Sequence, residues 1–164
     1  MTKGSAYVAV VFALLFGYFG YQWWFNPSRA VKQRLGEVAA ALSVPEGEPD
    51  IARIARLVRL RRFLGDDLRV LAGAQDIGSR DTAVAIAGAW KPQPGSGDVH
   101  FADVQVFIES ETSAHAYLAV ELTSLDRPSG QPTVDSRDAS VSLARRNGEW
   151  VITFAESKEM PGAR

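Results

Sequence analysis

The sequence has no cysteine. Disulfides, thiol nucleophiles and thiolate metal sites are therefore excluded. Histidine occurs only as His100 and His115, fifteen residues apart, so a histidine-rich metal centre is excluded too. The formal net charge is -1, which gives no global electrostatic support for nucleic-acid binding. Motifs that carry chemistry are missing: there is no Gly-x-Gly-x-x-Gly, no His-Glu-x-x-His and no Gly-x-Ser-x-Gly elbow. Gly95-Ser96-Gly97 lacks the following lysine and helix of a phosphate loop. No cofactor is implied by any of these patterns, and no metal is expected.

One further absence is local. No charged side chain falls between Lys3 and Arg29. Residues 6–25, AYVAVVFALLFGYFGYQWWF, are apolar or aromatic except for Gln22. Twenty helical residues span about 30 Å, the thickness of a bilayer core, so the stretch reads as a transmembrane helix. Trp23 and Trp24 are expected at one headgroup level and Tyr7 near the other. The alternative is a cleaved signal peptide. The bulky Tyr21-Gln22-Trp23-Trp24 offers no small-x-small cleavage site, so an uncleaved anchor is expected.

Within the anchor, Ala9, Ala13 and Gly17 recur every four residues, with Gly20 close by. Such a stripe lets another helix approach closely, although small residues are also ordinary in membrane helices. The aromatic residues around it suit contact with lipid, pigment or quinone of a host complex. No ionisable residue lies inside the span, so nothing suggests an ion or proton path.

The remaining chain is long enough for one domain with its own core. The expected division is a tail over 1–5, the membrane helix over 6–25, an α+β domain over 26–157 and a tail over 158–164. Residues 26–62 hold eight Lys/Arg against four Asp/Glu, whereas 98–159 hold eleven Asp/Glu against five Lys/Arg. The basic part is the one nearest the membrane in sequence, where it can face lipid phosphates or an acidic partner.

Asn26 and Pro27 suit the start of a helix over about 28–43, with Val31, Leu35, Val38 and Leu42 at helical spacing. Pro49 and Asp50 open a second helix, in which Ile51, Ile54, Leu57 and Val58 are expected to face inward. Arg53, Arg56, Arg59, Arg61 and Arg62 line much of the rest. That density of guanidinium groups reads either as a solvated face or as an interaction face toward anionic lipid or an acidic subunit. Gly65 is a candidate helix stop, and Leu68 to Leu71 a short strand. A third helix is expected over about 80–90, followed by the loop KPQPGSGD.

The pattern then alternates as in strands, over 99–109, 114–122, 137–146 and 150–154. Residues 124–136 read as a long hydrophilic connection, and Asn147-Gly148 as a tight hairpin turn. In the first strand Val99, Phe101, Asp103, Gln105 and Phe107 fall on one face and Ala102, Val104, Val106 and Ile108 on the other. His115, Tyr117 and Glu121 share one face of the next strand. With Asp103 they are the candidate catalytic residues, since that spacing can aim them at one ligand. The competing readings are a solvent face or a partner interface, because the opposite face of that strand is wholly apolar. The expected architecture is α+β: an N-terminal transmembrane helix followed by a cone-shaped domain of three helices packed on a curved antiparallel sheet.

That order resembles the nuclear transport factor 2-like superfamily, which includes SnoaL-like polyketide cyclases and steroid isomerases. The pieces that carry the likeness are Phe63 to Val70, Gly78 to Trp90, and Arg145-Arg146-Asn147-Gly148-Glu149-Trp150-Val151-Ile152. It covers about 30–157. The resemblance implies helices forming a cone whose open side the sheet covers, and a fold that serves enzymes and non-enzymes alike.

Two functional classes follow. One is a non-catalytic accessory or scaffolding subunit of a multi-subunit bacterial membrane complex, photosynthetic or respiratory, held by its anchor and extrinsic domain. The other is a membrane-tethered small-molecule-binding protein or an isomerase- or cyclase-like enzyme using the cone. The bilayer and other membrane subunits are the expected partners. The location is a single pass through the bacterial inner membrane. Lys3 and the α-amino group favour an internal N-terminus and a periplasmic domain, whereas Arg29, Lys32 and Arg34 favour the cytoplasmic side.

Overall fold

The computed structural model describes the backbone of residues 3–158 and the side chains of 7–23 and 25–158. Of the tail expected over 158–164, Lys158 belongs to the last strand, paired with Asp138, while 159–164, residues 1–2 and the Trp24 side chain lie outside the described residues.

Helix α1, Lys3–Trp24, carries the apolar run. Tyr7–Leu42 holds the one stretch, among the described residues, that is long and apolar enough to cross a membrane. Its apolar window has a mean hydropathy of 1.5, and none of that window is buried. Gln22 donates its side-chain amide to the Tyr18 hydroxyl at 3.0 Å. The single amide side chain of the run thus has a partner in a segment suited to a water-free surrounding. Asn26 interrupts the helix: its ψ of 110° is extended, and its side chain accepts the Ser28 N–H at 3.0 Å. Pro27 takes the next position, where a missing N–H costs nothing.

Helix α2, Pro27–Leu42, then follows its sequence pattern, burying Val31, Leu35, Val38 and Ala41. Ser43 closes it by donating to the Ala39 carbonyl, and accepts the Val99 N–H at 2.9 Å. That hydroxyl pins the end of α2 to the first residue of the hairpin sheet.

Helix α3, Asp50–Phe63, is rotated from expectation. Its buried face is Arg56, Leu60 and Phe63, while Ile51 is 83%, Ile54 61% and Val58 53% exposed. Leu60 and Phe63 fill the core, and Arg56 can turn inward beside them because its charge is met there. Its Nε donates to Glu48 at 2.8 Å, Nη2 donates to the same carboxylate at 3.2 Å, and Nη1 donates to the Ala41 carbonyl at 2.9 Å. Burying a guanidinium is tolerable only with such pairing.

No loop separates α3 from strand β1, Leu64–Ala72, which pairs with the short β2, Gln75–Ile77. Gly65 is therefore not a stop. It lies inside β1, where a Cβ would stand 3.3 Å from the Ile152 carbonyl oxygen, so glycine permits the close approach of the neighbouring strand. Helix α4, Arg80–Ala89, is capped by Ser79, which accepts the Thr82 N–H at 3.1 Å. Gly88 lets α4 close on α3: a Cβ there would meet Leu57 Cδ1 at 2.9 Å.

The other strands are β3 (Val99–Ile108), β4 (Ser113–Leu125), β5 (Pro132–Arg146) and β6 (Glu149–Lys158). The order across the sheet is β2-β1-β6-β5-β4-β3, antiparallel except where β1 runs parallel to β6. The sheet thus has six strands and one parallel pair, where the pattern showed four clear antiparallel ones. The supposed connection over 124–136 is mostly ladder, because pairing continues out to Leu125 opposite Pro132. Its polar residues, such as Ser124 and Thr133 bonded at 3.1 Å, belong to strands that outrun the core. Asn147 and Gly148 have φ of 52° and 80°, as the expected tight turn requires.

A bulge at Asp103, with φ 51°, sets the phase of β3. It adds one residue opposite β4, so Phe101 and Val104 both pack against the core. Simple alternation had placed Phe101 on the same face as Asp103 and opposite to Val104.

Helices α2, α3 and α4 pack on this sheet around Leu35, Leu60, Phe63, Leu68, Leu118, Leu143, Trp150 and Ile152. The end bearing the turns at 109–112 and 147–148 meets the start of α2. Tyr21, Phe25 and Pro27 share a groove there with Ile108, Glu111, Arg145 and Trp150. At the other end Val44 donates to the Gly97 carbonyl and Gly97 to Thr123, both near 3 Å. The β4–β5 turn over 126–131 lies at that end, away from α1.

Candidate interaction site

The catalytic candidates fall on the outside of the cone. Ala114, Ala116 and Leu118 of β4 are buried, so the alternate residues His115 and Tyr117 face outward. Tyr117 is 52% exposed and forms edge contacts with His115 and Phe107, at centroid distances of 4.7 and 6.0 Å. His115 Nδ1 lies 3.2 Å from the Ser142 hydroxyl on β5. The structure brings these two candidates together, and the register, with Ala102 opposite Ala119 and Gln105 opposite Tyr117, puts Asp103 on the neighbouring strand beside Tyr117. Glu121 is four residues beyond Tyr117, about 13 Å along an extended strand. Asp103 sits exposed in the bulge of β3. A single small ligand cannot reach all four. Of the three readings open for this face, the pocket is the one the geometry does not provide, since the interior is filled by the apolar core.

The arginine face of α3 is sorted by ion pairing. Arg56 leaves it for the core, as described above. Arg53 donates to Asp50 at 2.7 Å, and Arg61 pairs with Asp81 at the start of α4. Arg59 and Arg62 stay exposed and make no ion pair among the described residues. Beside them stands the stripe of Ile51, Ile54 and Val58, spaced three and four residues apart on one side of the helix. Ile86 of α4 is half exposed as well. Scattered apolar residues on a surface are normal, whereas these three form an aligned row of branched side chains on one helix.

Sequence reasoning missed this row because helical spacing of isoleucine and valine reads as a core face. Glu48 was the available signal. It stands eight residues before Arg56, within the turn that packs under it, and a carboxylate there lets arginine replace an aliphatic residue inside.

On α1, Gly17 and Gly20 have open space where a Cβ would project, and Ala9 and Ala13 are exposed. The small-residue stripe is therefore uncovered by any other part of the described chain. Tyr7 and Trp23 are exposed near opposite ends of the helix.

Three ion pairs outside α3 brace β1; one joins Asp66 to Arg80 of α4, and the other two shift their acids. Asp67 accepts from Arg146 at 2.8 Å, and that bond holds the Asp67 carboxyl below its ordinary range. Asp76 accepts from Arg69 at 2.6 Å and is lowered for the same reason.

No protein-family model matches the chain, and no curated protein matches it either. Solved structures do. An NTF-2-like protein of unknown function from Shewanella oneidensis MR-1 is 15% identical, with a TM-score of 0.62 over 81% of this chain and 99% of that one. The association domain of C. elegans CaMKII is 13% identical, with a TM-score of 0.59 over 82% of this chain and 99% of that one. A ketosteroid isomerase-like protein from Erwinia carotovora atroseptica SCRI1043 is 12% identical, with a TM-score of 0.60 over 83% and 98%. At such identities the likeness is one of fold. Behind its N-terminal helix, this chain has the nuclear transport factor 2-like fold.

Proposed function

We propose that the protein is a non-catalytic accessory or scaffolding subunit of a bacterial membrane complex, with residues 6–25 as its membrane anchor and 26–157 as its extrinsic unit. The observation that carries this reading is the outward row of Ile51, Ile54 and Val58 beside Arg59 and Arg62 on α3. An apolar row with two free guanidinium groups suits a partner whose own apolar surface is rimmed by carboxylates. The uncovered stripe of Ala9, Ala13, Gly17 and Gly20 supports a second contact with a partner helix inside the bilayer. Among proteins of the same fold, one is named an association domain. The enzyme reading has less support, because His115 and Tyr117 stand on the outer sheet face, and Glu121 lies farther along the strand.

Mild detergent extraction of the full chain from its native membrane, followed by native mass measurement, tests the proposal. Additional subunits are expected to accompany the wild type and to be lost from the double variant Ile51→Ser, Ile54→Ser, which keeps its thermal midpoint. A lone monomer from wild-type membranes overturns the reading. Export of the extrinsic unit to the periplasm is part of the proposal. A protease site inserted in the turn over 126–131 is expected to be cut by protease added to intact spheroplasts. Protection until lysis places the unit in the cytoplasm instead.

A further inference from the structure

The groove where the anchor meets the cone has a volume of about 860 Å³. Its walls come from four segments remote in sequence: the last turn of α1, the first two turns of α2, the β3–β4 turn and the β5–β6 hairpin. Tyr21, Phe25 and Trp150 give it an aromatic side, and Arg29 and Arg145 give it two guanidinium groups. Neither arginine makes an ion pair among the described residues, and both are exposed. Arg145 is steadied by its own backbone, whose N–H donates to the Thr112 carbonyl at 2.8 Å. Glu111 is the one carboxylate in the lining, so two positive charges face one negative charge.

We infer that this groove binds the headgroup of an anionic phospholipid, with its phosphate between Arg29 and Arg145. Three features converge on that occupant. The groove opens beside the final turn of the apolar span, at the depth where headgroups lie. Guanidinium groups take phosphate oxygens through paired, charge-assisted hydrogen bonds. The single excess positive charge complements a headgroup of net charge -1 and not a neutral zwitterion. Tyr21 and Phe25, with rings tilted at 39° and centroids 4.7 Å apart, lie where the glycerol and upper acyl carbons would pass. The lipid would thus couple the anchor to the cone by filling the angle between them.

The inference rests on α1 crossing the bilayer, as proposed above, and the test separates the two. The full chain is reconstituted in nanodiscs of phosphatidylcholine with a minority of phosphatidylglycerol. It is then released into mild detergent, and retained lipid is counted by native mass measurement. One phosphatidylglycerol per chain is expected, enriched about tenfold over its share of the disc, a preference of about 1.4 kcal/mol. Arg29→Gln with Arg145→Gln is expected to return retention to the bulk ratio, while Arg59→Gln with Arg62→Gln leaves it unchanged. Both pairs are exposed, so an unchanged thermal midpoint is the check on folding. Equal retention of the two lipids, or undiminished enrichment in the Arg29/Arg145 variant, overturns the lipid site alone. A chain that fails to enter the discs overturns the anchor and the lipid site together. Glycerol phosphate in solution is the last arm: displacement of the lipid by it at low concentration would assign the groove to a soluble phosphate and overturn the lipid.

Discussion

Helices α2 and α3 have similar lengths and lie side by side, yet they treat their apolar residues in opposite ways. In α2 the row of Val31, Leu35 and Val38 is inside. In α3 the equally regular row of Ile51, Ile54 and Val58 is outside, and an arginine takes a place in the core. Arg34 of α2 marks where the two meet, its guanidinium 4.7 Å from the Phe63 ring centre. Periodicity states that a face exists. Which face turns inward depends on what the neighbouring segment offers. Here the turn before α3 offers Glu48 and the end of α2 offers the Ala41 carbonyl, and together they satisfy Arg56 more fully than water-poor packing alone allows.

The comparison is broken most directly at Arg56. Arg56→Ala leaves Glu48 buried without its partner, and a loss of about 3–5 kcal/mol is expected from denaturant midpoints. The double change to Arg56→Leu and Glu48→Leu should recover most of it. If Arg56→Ala costs no more than Arg59→Ala, α3 is not rotated as described. The two apolar rows can be set against each other next. Leu35→Ala in α2 is expected to cost about 3 kcal/mol. Ile54→Ala in α3 should change stability by less than about 0.5 kcal/mol. Equal costs would mean that the outward row is covered within the monomer.

The smallest effect concerns acid. Asp67 has its pKa lowered in the folded chain by its bond to Arg146. A depressed carboxyl contributes stability at pH above the unfolded value, about 4, and that contribution is lost as pH falls through the folded value. Asp67→Asn should therefore flatten the loss of stability below about pH 4 without altering its slope near neutrality. An unchanged acid limb would show that the exposed pair contributes nothing measurable. This region has no counterpart in the α2–α3 contact, where the buried carboxylate meets its arginine away from solvent.

Much of the fold was legible because local chemistry and tertiary packing agree. The apolar run makes α1, Asn26-Pro27 starts α2, Ser79 starts α4, and Asn147-Gly148 turns β5 into β6. Illegible features were those decided between segments. The parallel contact of β1 with β6 leaves no local mark beyond Gly65. The Asp103 bulge shifts the phase of β3 by one residue, and aspartate in a strand gives only a weak hint of it. The ends of β4 and β5 are polar, so composition alone makes them look like a loop. For the interaction site, Arg59 and Arg62 were readable as exposed cations. The isoleucine row beside them was not, since the same residues at the same spacing usually fill a core.

Only Phe25 and Asn26 separate the two helices α1 and α2. With α1 in a bilayer, so short a joint gives the cone almost no tether to swing on. Its working volume is a layer close above the lipid, no deeper than the roughly 50 Å that the fifteen residues of β5 span. Encounter with a partner then becomes a search in two dimensions, open chiefly to proteins that share the same membrane. A partner diffusing freely in solution gains nothing from the arrangement, whereas a neighbour in the bilayer meets the cone at a fixed height and in a restricted set of orientations.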